Sequence, residues 1–569
     1  MWQTKPLIVL GTSVALVAVL IQYLRVSSIS ITVGNLVYRG TLSPSGQTAI
    51  FYGIPYAQPP LGELRFRAPV PLDLSTDASQ SVKVVDGRKE PKFCVQSTMF
   101  PSDTEHGGAG SEDCLHLNIY TSTEHAKLLS PSPAPTGASR LLPVMVYIHG
   151  GGFLGGNPLS WPFDHWIEQS PDLVIVSIYY RLNVFGFLTP PSEEDAKGEI
   201  DYNVGILDQV EALRWVQKNI ANFGGDPSKV TIVGHSAGAA SVFLLMVAND
   251  GRQQLFHQAI AQTIYRPAMR TIDESKDHFE WVVKQAGCSV EETSLIQKVH
   301  CLRTKDVATL IKASESAQLH DWSWQFRPVV DNHLFKDYPT SLLNAGKVSA
   351  VPLLVGATSN ETFVPEGKLE PDLRRWYPHL TDEEMGQIAR IYDSPHFATE
   401  LEKAKIAVGE TLNRCGRDLL AFTLSKARVP VYAYRFDERD PTQPPEDGVQ
   451  HSAENYFMFR GVSTGSNGTF SFAPPEAVPV GFSQELISRW TSFARSGDPN
   501  SYRIDKAPHW PQWETRRLWG LWKTGPWRMV LKQPDVNSTE QFGSKPERVA
   551  RQELERCLAM GNLAKVLRN

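Results

Sequence analysis

Residues Val230 to Val233 form a β-branched run that ends in Gly234-His235-Ser236-Ala237-Gly238 and passes straight into an apolar stretch through Leu244, Leu245 and Met246. That order predicts a short buried strand, a tight turn and a helix. The turn lifts Ser236 onto a strained corner, and the flanking glycines keep other side chains off it. The helix start adds backbone N–H groups and the positive end of a dipole. Such a corner suits a hydroxyl that attacks a carbonyl, so it points to serine hydrolase chemistry. A second pentapeptide of the same form, Gly461-Val-Ser463-Thr-Gly465, follows Asn455-Tyr-Phe-Met-Phe-Arg and has no apolar helix behind it. It is expected to be a flexible loop. Context, not the pattern, separates the two.

Other unbroken apolar runs of strand length are Leu142–Ile148, Leu173–Ile178, Val351–Val355 and Val429–Phe436. Val210, Leu213, Trp215, Val216 and Ile220 recur at helical spacing over 210–220. Apolar strands separated by helices imply a mainly parallel sheet covered on both faces. The chemistry of such sheets collects at the carboxyl ends of the strands. The Leu142–Ile148 run ends in His149-Gly150-Gly151-Gly152-Phe153, where glycines let backbone N–H groups approach a substrate. Gly151, Gly152 and Ala237 are the expected oxyanion donors. A serine needs a base and the base an orienting acid, here in the chain order Ser, acid, His. Glu361, just past Val351–Val355, and His451, after Val429–Phe436, fill those places.

At 569 residues the chain could hold two or three average domains, although large α/β enzymes often form one unit. A net charge of −5 without a basic stripe argues against a nucleic-acid partner, and no fixed-period repeat suggests a solenoid or propeller. Residues Leu7 to Leu24 are uncharged and mostly apolar, between Lys5 and Arg25. This segment is long for a secretory h-region and short for a spanning helix. We read residues 1–30 as a signal anchor or a cleaved signal peptide, the anchor preferred, with a catalytic body over 31–569 in the secretory lumen or beyond. The six cysteines fit that compartment. Two close pairs, Cys94/Cys114 and Cys288/Cys301, look like local staples and leave Cys415 and Cys557. With about 15 connectivities open to six cysteines, spacing does not fix the pairing. No C-x-x-C or Cys/His metal spacing occurs, so no zinc site is expected, and serine hydrolase chemistry needs neither a metal nor an organic cofactor. Sequons at Asn467 and Asn537 are glycosylation candidates, whereas Asn360 adjoins Glu361.

Several stretches together resemble the type-B carboxylesterase family, which includes cholinesterases and fungal lipases. They are Phe51 to Phe66, Ser111 to Ile119, His149 to Phe153, Tyr180 to Leu188, Asn203 to Gln209 and Ala212 to Asp226. The resemblance implies an α/β-hydrolase fold, a Ser236–Glu361–His451 triad with Gly151, Gly152 and Ala237 as oxyanion hole, and a small-molecule ester as substrate. It also implies the bridges Cys94–Cys114, Cys288–Cys301 and Cys415–Cys557. Two departures bear on the substrate. His235 stands where the family commonly has glutamate. The Cys94–Cys114 loop has no tryptophan, which speaks against choline esters because they are bound there by cation–π attraction. Asp321 to Val330 resembles the family's acyl-pocket stretch, with Trp322 and Trp324 as its walls. An acyltransferase using the same acyl-enzyme, and a binding or adhesion member of the fold, are the alternative functions.

Overall fold

Successive residues of a strand face opposite ways, and the inner strands use this to build two cores. Val144, Val146 and Ile148 pack into one, while Met145 and Tyr147 pack into the other. Leu353 and Val355 oppose Leu354 in the same manner, as do Val431 and Ala433 against Tyr432 and Tyr434. A computed structural model describes residues 29–33, 36–72, 83–98, 102, 106–129, 140–192, 196, 198–252, 254–289, 293–321, 323–361, 364–393, 397–464, 470–472, 478–514 and 525–569.

The strands are β1 (Ile29–Val33), β2 (Leu36–Leu42), β3 (Thr48–Pro55), β4 (Lys83–Asp86), β5 (His116–Ser122), β6 (Leu142–Ile148), β7 (Val174–Ile178), β8 (Gly225–His235), β9 (Gln258–Gln262), β10 (Leu353–Thr358), β11 (Val431–Phe436), β12 (Val462–Thr464), β13 (Phe470–Phe472), β14 (Trp527–Leu531) and β15 (Lys545–Arg548). The large sheet runs β1-β2-β3-β5-β7-β6-β8-β9-β10-β11-β14-β15, with β4 beside β2. From β7 to β14 neighbours are parallel, and the antiparallel pairs lie toward the two ends. The helices that frame the site are α1 (Val204–Asn219), α2 (Ala237–Gly251), α3 (Cys415–Lys426), α4 (Ala453–Met458), α5 (Val480–Ser496) and α6 (Arg551–Asn562). Val210 and Leu213 of α1 and Val242 and Leu245 of α2 fill one core, and Tyr456 of α4 and Trp490 of α5 fill the other. The sheet is therefore covered on both faces.

The expected strands are all present. The helix expected over 210–220 begins earlier, at Val204, and ends at Asn219, where the chain tightens into a 3-10 turn. One expectation fails. Val462–Thr464 is not a flexible loop but the strand β12, paired antiparallel with β13. The next described element is its strand partner β13 and not an apolar helix, so the strand–turn–helix order of a nucleophile turn is absent among the described residues. The first strand begins at Ile29, two residues ahead of the expected start of the body. Leu7–Leu24 lies outside the described residues, among which no helix is long and apolar enough to cross a membrane.

All three expected bridges form, Cys94–Cys114, Cys288–Cys301 and Cys415–Cys557. The last spans 142 residues and joins α3 to α6. Closing so long a loop in the unfolded chain is costly, so replacing Cys415 and Cys557 by serine should lower stability by about 5 kcal/mol. The check is the urea midpoint of the double variant. An unchanged midpoint would show that the bridge constrains nothing the packing does not already fix.

Candidate functional site

Ser236 follows the last residue of β8 and caps α2 with φ 57° and ψ −119°, a conformation rarely taken by a residue with a side chain. Strain of this kind costs of order 1–3 kcal/mol and persists only where the surroundings enforce it. Here Ser236 N donates to Gln262 O at 2.9 Å, and Ala240 N donates back to Ser236 O at 2.8 Å. The two flanking glycines are required by close approach. A Cβ on Gly234 would lie 2.2 Å from Gly238 O, and one on Gly238 would lie 2.0 Å from Ile148 O. The turn can thus press against the end of β6 only without those side chains.

Glu361 and His451 reach the same point from β10 and β11. Ser236 Oγ lies 2.8 Å from His451 Nε2, and His451 Nδ1 lies 2.6 Å from Glu361 Oε2. With Glu361 ionised, Nδ1 carries the proton and donates, which leaves Nε2 free to accept from the serine hydroxyl. Glu361 is buried, and its other oxygen accepts from Thr263 Oγ1 and Thr358 N, each at 2.7 Å. Burial opposes its charge, but the His451 imidazole and these hydrogen bonds outweigh that and hold its pKa below the usual value. The packing around His451 opposes its protonation, yet the charge and hydrogen bond of Glu361 prevail and raise its pKa above the ordinary 6.5. The acid limb of any reaction that uses His451 as base should therefore lie above that of a free histidine. Asn360 ties the two loops together, for its N donates to Val449 O and its Oδ1 accepts from Val449 N, both at 3.0 Å.

The glycine loop is fixed from behind. His149 is stacked on Tyr180 at 4.4 Å, its Nδ1 lies 2.9 Å from Gly150 O, and Tyr180 Oη donates to His149 O at 2.8 Å. Burial pushes the His149 pKa down to about 4, so the ring is a neutral wedge. Gly151 and Gly152 take φ of 115° and 65°. Ala237 is the first residue of α2, where an N–H has no helical acceptor.

His235 is buried beside His451, with ring centroids 5.1 Å apart, and Trp161 lies on 6.0 Å contact with it. Its Nε2 has no hydrogen-bond partner among the described residues. Burial first, and His451 second, push its pKa far below 6.5, which keeps it neutral. Three residues that sequence reasoning passed over also belong here. Thr263 follows β9 and supports Glu361. Glu454 accepts from Tyr434 Oη at 2.9 Å, and burial together with the Glu361 charge pushes its pKa up to about 7. The spacing of Glu454 three residues after His451, just inside a helix, was the available signal.

Trp324 is half-buried and packs against His320, His278 and Trp281 at 5.1, 5.7 and 5.9 Å. Trp322 and Asn467 lie outside the described residues, and Asn537 is exposed. The arrangement can activate a hydroxyl for attack on an acyl carbon.

Residues 27–519 match the Carboxylesterase family. The chain is 32% identical over 502 residues to an acetylcholinesterase of Bungarus fasciatus, a span of 82% of this chain and 77% of that one. It is 32% identical over 519 residues to a cocaine esterase of Homo sapiens, 84% of each. Among solved structures, Aspergillus niger EstA superposes with a TM-score of 0.77 at 27% identity, covering 95% of this chain and 99% of that chain.

Proposed function

Because the chain belongs to the carboxylesterase family, we propose that Ser236, His451 and Glu361 carry its ester hydrolysis as nucleophile, general base and orienting acid. Its fold is that of the α/β-hydrolases, and its activity is that of a carboxylic ester hydrolase. The observation that supports the assignment most is the continuous relay from Ser236 Oγ through His451 to Glu361, both links within hydrogen-bond length. His451 takes the serine proton as Oγ attacks the ester carbonyl. The N–H groups of Gly151, Gly152 and Ala237 receive the oxyanion. His451 then protonates the leaving alcohol, and water releases the acyl group by the same route. The substrate is a small ester without a quaternary ammonium, since the Cys94–Cys114 loop has no tryptophan to hold one. Trp324, and Trp322 beside it in sequence, remain assigned to the acyl side on the family resemblance.

The three disulfides favour an oxidising compartment, and we place the catalytic body in the secretory pathway, anchored through Leu7–Leu24 or secreted, with Asn537 open to glycosylation. The likenesses are to esterases and favour neither the acyltransferase nor the adhesion reading. A fluorophosphonate probe tests the assignment. It should modify Ser236 stoichiometrically, and peptide mapping that found the label elsewhere would overturn it.

The neutral His235 leaves the charge on His451 to be set mainly by Glu361. A carboxylate at position 235 would stabilise the imidazolium, so His235→Glu should move the acid limb of kcat/KM upward by on the order of one pH unit. His235→Gln should leave the limb in place. If both variants kept the parent profile, the side chain at 235 would have no electrostatic hold on the base.

A further inference from the structure

Arg266 and Arg327 line one small cavity of 30 Å³ whose remaining walls are largely apolar, Phe153, Phe243 and Met269 among them. Both arginines are buried, 4% and 8% exposed. Arg266 gives Nη2 to Thr340 Oγ1 at 3.0 Å and to Asn569 Oδ1 at 2.8 Å, two neutral acceptors. Among the described residues its Nε and Nη1 have no hydrogen-bond partner, and the Nε of Arg327 has none either. Arg327 has its guanidinium 6.0 Å over the Tyr265 ring. Among the described residues neither arginine forms an ion pair. Arg270 nearby adds positive charge, for its guanidinium donates to Ser323 O and Gln325 O at 3.0 and 2.9 Å and pairs with no carboxylate among the described residues. Burial pushes the pKa of Arg270 down to about 10, helped by the Arg327 charge, and burial alone does the same to Arg266.

Buried charges are normally paired, because an unpaired one forfeits its hydration without return. Here two guanidiniums share a cavity wall, three of their N–H nitrogens are unmatched among the described residues, and no side-chain carboxylate of those residues pairs with either. The geometry points to a binding site for a compact monoanion, a halide or a carboxylate head, held between Arg266 and Arg327. The volume admits about two waters, which suits a compact anion. The cavity also lies close to the reacting serine. Phe153 follows Gly152, and Ala240, another wall, donates its N–H to Ser236 O at 2.8 Å. The anion is therefore either a free ion or the acidic end of an acyl chain, and only the second source rests on the proposed catalytic role of Ser236.

The first arm uses the full chain with Ser236→Ala, so that it does not depend on turnover. Crystals soaked in bromide should show an anomalous peak between Arg266 and Arg327. Bromide should raise Tm saturably when gluconate keeps the ionic strength constant. In Arg327→Met the peak and the rise should both be lost. That variant should fold, with a Tm in gluconate no lower than its parent, since it removes an uncompensated charge. The second arm compares kcat/KM for an aryl hemisuccinate and an aryl butyrate on the otherwise native chain. A hemisuccinate preference lost in Arg327→Met assigns the anion to the acyl chain, and an equal ratio beside a bromide peak assigns it to a free ion. No bromide peak, with the same bromide response in Arg327→Met as in its parent, overturns the site.

Discussion

Ser236→Ala should lower kcat for a simple aryl ester by about 10⁶-fold, close to 8 kcal/mol of barrier, while leaving the fold intact. The size follows from the way the site is coupled. Without Oγ, His451 has no hydroxyl to deprotonate, and neither Glu361 nor the glycine loop can replace a missing nucleophile. A residual rate of ~10³–10⁴ over water is expected, because the oxyanion donors and the binding surface remain. Folding should survive because the strained backbone at position 236 is held by main-chain bonds, Ser236 N to Gln262 O and Ala240 N to Ser236 O, that alanine retains. The measurement is single-turnover hydrolysis beside circular dichroism and Tm. Near-native turnover in a folded Ser236→Ala protein would sink the assignment of the nucleophile.

How much of this site could be read in advance depends on what kind of signal each residue leaves. Ser236, Glu361 and His451 each follow an unbroken apolar strand, so their positions at the sheet's carboxyl end were legible from pattern and chain order. Thr263 and Tyr434 were not, because their roles arise from proximity across β9 and β11, which no local periodicity encodes, and Glu454 left only its three-residue spacing from His451. His235 was visible as a departure beside the serine, but not that it would face the His451 ring. The arginines of the small cavity are a similar case. Arg266, Arg270 and Arg327 look like surface residues in sequence, and only packing from separate segments buries them together. The same holds for a further core away from the sheet, in which Leu373, Met385, Ile388 and Val408 from short helices and Tyr377 just after one of them meet Met560 and Leu567. These helices are polar on one face and short, so they leave a weak sequence trace, and their core is completed only by residues some 150 positions or more away. The strand β12 was missed for a related reason, since a three-residue strand exists by virtue of its partner β13.

Glu361→Gln separates orientation from charge. Glutamine keeps the shape of the side chain and can still meet Thr263, but an amide cannot favour the imidazolium as a carboxylate does. If its nitrogen turns toward His451 it will also select the wrong tautomer, with the proton on Nε2, where Ser236 needs an acceptor. The expected loss in kcat is about 10⁴-fold, or some 5.5 kcal/mol, by analogy with the loss of the acid in serine protease triads. The pH profile should change as well. Glu361 raises the pKa of His451 in the intact protein, so the neutral, competent base accumulates at higher pH than it does in a free histidine. Without the carboxylate that pKa falls, and the acid limb of the residual activity should move to lower pH while the plateau drops. A structural role alone would lower the plateau or the Tm without moving the limb. A Glu361→Gln enzyme that loses activity but keeps its acid limb would mean that Glu361 holds the loop and not the charge on His451.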